Sequence, residues 1–274
     1  MKCLFVSDLH GIKTRIQKIF KIIEKEKPDG VFIGGDLFPN NYSNDIASFF
    51  EQYYIKKIKD LKSKIFIILG NDDPKNYEYL LHQADKDKLI YYVHNKVVNF
   101  FNLNVVGYSY VPPTPFILKD WERYDVSRFV DLGSISPEDG KRTVEVNIKE
   151  ERFRTISEDL KKLSKISNPK KTIYLFHSPP YKTNLDRADL DNKKVDHVQL
   201  DVNIGSIAIK RFIKKMNPFL TLHGHVHESS RLTGSWKEKY GETFSFSAAH
   251  DEADKLAIIY FETENLDKAY RKII

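Results

Sequence analysis

The chain has 274 residues, 41% of them apolar, and a formal charge of +6. That is enough to bury a full core, as one large domain or one domain with an insertion. No run of 18 or more apolar residues is present, which excludes a membrane-spanning helix, and a lone Cys3 excludes an internal disulfide or a thiolate zinc cluster.

The N-terminus enters a strand at once, over residues 2–7, with no apolar leader or small-residue cleavage site, so a cytoplasmic location is expected. Residues 13–27 carry Ile16, Ile19, Phe20 and Ile23 at helical spacing, and Pro28-Asp29-Gly30 ends them. Residues 31–33 form a second strand, 46–61 a second amphipathic helix and 64–69 a third strand. This is an α/β start with an at least partly parallel sheet. Residues 97–108 read as one or two strands, antiparallel if two. From Pro112 to about Val144 the sequence is irregular but holds Trp121, Arg123 and Tyr124. A connection this long is usually functional or a linker, and the aromatics argue for an ordered, lid-like insertion over about 109–145. A helix is expected over 150–166, a strand over 172–176, a polar loop over 179–199, a helix over 207–216 and a strand over 219–222. The tail segments 242–248, 256–261 and 269–274 read as strands of a second sheet.

Five of these strand ends carry polar motifs: Ser7-Asp8-Leu9-His10, Gly34-Gly35-Asp36, Gly70-Asn71-Asp72-Asp73, Phe176-His177-Ser178 and His223-Gly224-His225-Val226-His227. Sites in α/β sheets form at the carboxyl ends of strands. Asp, Asn and His are ligands for hard to borderline metals. Taken singly, each motif has a structural explanation: an Asp after a strand is often a helix N-cap, an Asn a turn residue, a His a hydrogen-bonded core residue. Capping and turns do not explain five such motifs in order, which points to a metal-dependent hydrolytic site. His82, His94 and His197 have no motif around them and read as structural, and His250 as a surface-loop residue. The scattered lysines could attract phosphates or nucleic acid, but no RNA or DNA module signature accompanies them.

Asp8-x-His10, Gly35-Asp36, Gly70-Asn71-x-Asp73, His177 and Gly224-His225-x-His227 resemble the calcineurin-like metallophosphoesterases, from residue 3 to about residue 228. The resemblance implies one metallophosphoesterase domain over 1–274, a four-layer αββα sandwich of two mixed sheets flanked by helices. It implies a hydrolase with two divalent ions (manganese, iron or zinc) acting on a small phosphoester. Asp8, His10 and His227 would hold one ion, and Asn71, His177 and His225 the other. Asp36 would bridge them, with attack by a bridging hydroxide. Two cations about 3.5–4 Å apart need such an anionic bridge. Neutral His and Asn leave net positive charge for a phosphate.

The chain departs from the family at one position. Many members carry His after the Asn, where it assists the leaving group; here Asp72 stands there. An Asp of ordinary pKa is ionised at neutral pH and donates no proton. Its pKa is raised, or it orients another group, or the leaving group needs no acid. A subset of the family lacking that His acts mainly on phosphodiesters, which favours diesters slightly over monoesters. Asp73 is expected to orient a ligand histidine. Tyr110, Trp121, Arg123 and Tyr181 are candidates for substrate contact, the alternative being that they pack the insertion onto the sandwich. A phosphoesterase-like protein-interaction scaffold is the competing reading, though no ligand residue is lost. A metal-binding protein without catalysis would leave the insertion unexplained.

Overall fold

The computed structural model describes residues 1–39 and 45–274. Its strands are β1 (Lys2–Val6), β2 (Gly30–Gly34), β3 (Lys64–Ile68), β4 (Tyr91–Tyr92), β5 (Val97–Phe100), β6 (Leu103–Tyr108), β7 (Thr172–Phe176), β8 (Lys194–Val195), β9 (Val198–Gln199), β10 (Leu220–His223), β11 (Lys237–Tyr240), β12 (Thr243–Ser247), β13 (Ala257–Glu262) and β14 (Asn265–Ile273). One six-stranded sheet runs β14-β13-β1-β2-β3-β4 and a second runs β11-β12-β10-β7-β6-β5, while β8 and β9 form a separate hairpin. Within the first sheet β1, β2, β3 and β4 are parallel. Within the second, β12, β10, β7 and β6 are parallel. Antiparallel β5 pairs with β6, as the sequence suggested for residues 97–108.

The period-2 alternation of strands builds the layers. Cys3, Phe5, Phe32, Phe66 and Ile68 face Val105, Ile173, Leu175, Leu220 and Leu222 between the two sheets. Their neighbours Leu4, Val6, Val31, Ile33, Ile65 and Ile67 face outward, and with Val106, Tyr174 and Phe176 join the core that the helices cover. Helix Lys13–Glu26 buries Ile16, Ile19, Phe20 and Ile23, the residues whose spacing predicted it. Helix Ile207–Met216 starts on Ser206, whose side chain accepts from Ile209 N at 3.0 Å. The result is the αββα sandwich of two mixed sheets.

Four expectations are corrected. The helix over 46–61 ends at Ile58 and contains a π-helical turn, Glu51–Ile55, which seats the Tyr54 hydroxyl on the Leu37 carbonyl at 3.1 Å. The helix over 150–166 is two helices, Ile148–Glu151 and Ile156–Ile166, because Thr155 leaves the helical path and caps the second, accepting from Glu158 N at 3.2 Å. Of the tail, β11 and β12 join the second sheet, but β13 and β14 join the first, with β13 antiparallel to β1. Ala257–Phe261 is apolar on both faces and so needs neighbours on both sides. Helix Glu78–Lys86 and β4 had not been expected.

Residues 112–144 lack regular helix and strand, as predicted, but pack tightly. Lys119 and Glu122, both fully buried, pair at 2.5 Å. Asp120 accepts from Lys75 N at 2.8 Å and Thr143 N at 2.9 Å. Asp125 accepts from Ser206 Oγ at 2.6 Å and Ile207 N at 2.7 Å, tying the insertion to the start of helix Ile207–Met216.

Candidate metal centre

Asp8, Asp36 and Asn71 follow β1, β2 and β3, which are parallel, so their side chains leave the first sheet at one edge. His177 follows β7 and His225 follows β10, which are parallel in the second sheet. Hydrogen bonds join the two groups across the sandwich: His177 Nδ1 to the Gly34 carbonyl at 2.8 Å, and His225 N to Asp8 Oδ1 at 3.0 Å. The structure therefore gathers all seven residues singled out as ligands at one edge of both sheets.

The backbone is bent to bring them there. Asp8, His10, Asp36 and His225 have φ of 58°, 46°, 51° and 72°, a region that disfavours non-glycine residues. Strain of this kind persists only where surroundings hold it, and it gathers at functional sites. Close approach also requires glycine: a Cβ at Gly70 would collide with the Asp36 carboxylate, and one at Gly224 with Ser7. Arg15, buried on the apolar face of its helix, donates to the Asp8 carbonyl at 2.7 Å and the Glu252 carbonyl at 2.7 Å. Its role was not read from the sequence, although a charged residue four positions before Ile19 and eight before Ile23 was the available signal.

Ligand atoms of Asp8, His10, Asp36 and His227 lie within 4.8 Å of one another. His10 Nε2 and His227 Nε2 face each other at 3.1 Å, His227 Nε2 is 3.4 Å from Asp8 Oδ1, and His10 Nε2 is 3.8 Å from Asp36 Oδ2. Asp8 Oδ2 is buried with no hydrogen-bond partner among the described residues. A buried carboxylate oxygen without a donor is costly unless a cation meets it. Two carboxylates and two imidazoles converging beside that orphaned oxygen fit a divalent cation. Burial alone would raise the Asp8 pKa, but the hydrogen bond and charge of His227, then His177 and His10, hold it well below the usual carboxylate range.

A second cluster adjoins the first. His177 Nε2 lies 3.0 Å from Asn71 Oδ1 and 3.3 Å from Asp36 Oδ2, and the His177 and His225 rings are 5.3 Å apart. Burial lowers the His177 pKa, but Asp36 outweighs it and lifts the group to about 10. Burial, reinforced by His177, pushes His225 down to about 3. Asp36 stands between the clusters. Asp72 N donates to its Oδ1 at 2.9 Å, which leaves Oδ2 facing both His10 and His177.

Asp72 Oδ1 accepts from the Asn71 amide at 2.7 Å, and its Oδ2 is 3.6 Å from His10 Nδ1. Burial, then the charge of Asp36, push its carboxyl up to about 8. Among the described residues Asp73 hydrogen-bonds through its carboxylate to none of the candidate ligand histidines, contrary to expectation. Its carboxylate accepts from Leu37 N at 2.8 Å, Phe38 N at 2.9 Å and Gly70 N at 2.9 Å, and so ties the chain after Asp36 to the Asn71 turn. His223, which opens the histidine motif, is wholly buried, with Nδ1 on the Ser178 carbonyl at 2.9 Å and Nε2 on Thr221 Oγ1 at 2.8 Å.

The substrate candidates divide. Trp121 is fully buried against His94 and Tyr110, with ring centroids at 5.0 and 5.4 Å. Arg123 is buried over the Tyr110 ring at 3.8 Å and bonded to Asp159. Both therefore pack the insertion, the alternative weighed from the sequence, because both side chains are buried and their rings and guanidinium lie against protein partners. Tyr110 is nearly buried, with its hydroxyl on Lys75 Nζ at 2.9 Å. Tyr181 is half-buried, its hydroxyl donating to Asp201 at 2.5 Å. His250 lies in a loop, as expected, and is half-buried there, with Nε2 3.4 Å from the exposed Glu252.

The sandwich recurs in solved structures. A Thermus thermophilus protein matches with a TM-score of 0.59 at 18% identity, over 99% of this chain and 97% of that one. A dimetal phosphatase from Danio rerio matches with a TM-score of 0.56 at 10% identity, over 100% of this chain and 98% of its own. An uncharacterized protein of Methanocaldococcus jannaschii is 24% identical over 233 residues, 84% of this chain and 81% of that protein. The sequence model of the calcineurin-like phosphoesterases matches residues 1–229, which include every residue of both clusters, and the chain belongs to that family.

Proposed function

We propose that this protein is a dinuclear metal-dependent phosphoesterase, with residues 1–274 acting as one domain, and that it hydrolyses phosphodiesters in preference to monoesters. The observation that carries this is Asp36, whose Oδ2 lies 3.3 Å from His177 Nε2 and 3.8 Å from His10 Nε2, where one carboxylate can serve both clusters. Asp8, His10 and His227 would hold one ion, and Asn71, His177 and His225 the other. Manganese, iron or zinc all suit this mixture of oxygen and nitrogen donors. Bound divalent ions supply positive charge for phosphoryl oxygens and make bound water more acidic.

The chain's own groups do the rest. The Asp72 amide fixes the orientation of Asp36. Asp73 holds the bent backbone that follows Asp36, and Arg15 holds that at Asp8. Asp72 sets a carboxyl beside the centre. Burial and the charge of Asp36 push it up to about 8; bound divalent ions would draw it back to the ionised form, which disfavours a dianionic monoester more than a monoanionic diester because like charges repel at short range. The preference for diesters rests on this argument.

The test is hydrolysis of bis-p-nitrophenyl phosphate and p-nitrophenyl phosphate with manganese, iron or zinc added. The diester should turn over faster, and Asp36→Asn should lose most activity and at least one bound ion. Hydrolysis of neither ester with any of the metals would remove the reading and leave the scaffold alternative. A faster monoester reaction would remove the diester preference alone.

A further inference from the structure

The first cluster draws Asp8, His10 and Asp36 from the first sheet and His227 from the second, so the spacing of the sheets at this edge governs the distances between its ligands. Residues 248–256 cross between the sheets here, from β12 in the second to β13 in the first. β12 is parallel to β10, so the connection leaves at the edge that carries the histidine motif, and the Ala248 N–H donates to the His223 carbonyl at 3.1 Å. β13 is antiparallel to β1, with Ile259 opposite Phe5, so the connection arrives at the end of β1 that Asp8 follows. Arg15 joins the connection to that turn. Its Nη1 donates to the Asp8 carbonyl at 2.7 Å and its Nη2 to the Glu252 carbonyl at 2.7 Å. One planar, rigid group thus holds both, and Asp8, at φ 58°, needs holding. Arg15 is 4% exposed, both of these acceptors are neutral carbonyls, and its Nε is buried with no partner among the described residues. A buried cation that meets carbonyls instead of a carboxylate keeps much of its desolvation cost. An apolar residue would suit this helix face, beside Ile19 and Ile23. What the guanidinium supplies there is the link itself.

We propose that Arg15 is a positioning residue for the first ion: it fixes the Asp8 turn against residues 248–256, so that binding of the ion and ordering of this connection depend on each other. This deepens the dinuclear reading and rests on its first ion. The probe is manganese added to metal-free protein. Calorimetry reads the affinity of each ion, and hydrogen exchange reads the amides of residues 249–254. Arg15→Met should weaken one of the two ions about tenfold to a hundredfold, the weight of a group that orients a ligand, and leave the other little changed. Arg15→Lys keeps the charge without the planar fork and should fall between. Manganese should slow exchange over 249–254 in wild type but not in Arg15→Met, because coupling between two sites is reciprocal. Lys18→Met removes an exposed tie of the same connection, Lys18 Nζ to the Asp254 carbonyl at 3.1 Å, and should leave both ions as in wild type. Melting temperatures of the metal-free variants check folding. If Arg15→Met does not fold, Arg15→Lys and the wild-type exchange carry the test. The inference is overturned by unchanged manganese affinities in every folded Arg15 variant, by equal weakening in Lys18→Met, by exchange over 249–254 indifferent to manganese, or by a wild type that binds no manganese. Manganese binding that follows Arg15 in a protein that hydrolyses no ester keeps this inference and removes the phosphoesterase reading.

Discussion

Asp72 is the residue on which the leaving-group chemistry turns. It follows Asn71 and reaches to within 3.6 Å of His10 Nδ1. Burial and Asp36 push its carboxyl up to about 8, but divalent ions bound beside it would draw it back to the ionised form, and an ionised carboxyl gives no proton to a departing alkoxide. General acid help is worth about 10²–10⁴ in rate, so Asp72→His should speed poor leaving groups by up to about that range while nitrophenyl esters change little. A series of aryl and alkyl diesters would read this directly; a uniform effect across the series would show that position 72 does not face the leaving group. His223 gives a second expectation at this scale. Burial, opposed only by the Ser178 carbonyl, lowers its pKa from 6.5 to about 4. Its neutral form stabilises the fold in full above about pH 6.5, and the contribution is lost as pH falls through the folded value near 4. At about 1.4 kcal/mol per unit that loss is roughly 3 kcal/mol. Urea midpoints between pH 7 and pH 4 should fall less steeply in His223→Gln than in wild type. Parallel slopes would mean that other groups govern the acid transition.

At the scale of elements, the insertion is a packed brace. Trp121 is fully buried between His94, Tyr110 and the Lys75 ammonium. Trp121→Ala should therefore cost about 3–5 kcal/mol of stability while metal content stays at the wild-type value. Unaltered unfolding with a raised KM would instead restore its direct substrate role. The same residues show what the sequence could and could not disclose. Helix Lys13–Glu26, helix Ile207–Met216 and β7 were legible because their apolar spacing is regular and their ends carry Pro-Asp-Gly, Ser206 or a polar motif. The convergence of the seven candidate ligand residues was legible for a related reason: each follows an apolar strand, and strand ends are local. The break at Thr155 and the π turn at Glu51–Ile55 were not, because distant partners set them: Ile156 N bonds to the Tyr124 carbonyl and Tyr54 to Leu37. Nor does a strand's sequence say which sheet edge it joins, hence the misplaced β13. Asp73 was misread because its partners are backbone N–H groups, which any residue supplies.

Across the whole molecule, the cluster of Asp8, His10, Asp36 and His227 takes three members from the first sheet and one from the second. The sheets otherwise meet through apolar contacts such as Phe5, Phe32 and Leu222. A cation held there fastens the carboxyl edges of both sheets together and has no preformed site in the unfolded chain. Anything that binds only the native state stabilises it by RT ln(1 + [L]/Kd), about 2.7 kcal/mol at a hundredfold excess over Kd. For a chain of this size that corresponds to roughly 5–10 °C in melting temperature. Manganese should therefore raise the melting temperature of chelated protein by that amount, with the midpoint of the rise matching the metal Kd. Asp36→Asn should shrink the rise, because it removes the carboxylate between the clusters. His223→Gln should leave the rise intact, because His223 bonds to Ser178 and Thr221 and faces neither cluster. A melting temperature indifferent to manganese at concentrations that saturate activity would show that the site does not join the two sheets. The convergence of ligands would then be a consequence of the fold, with no part in holding it.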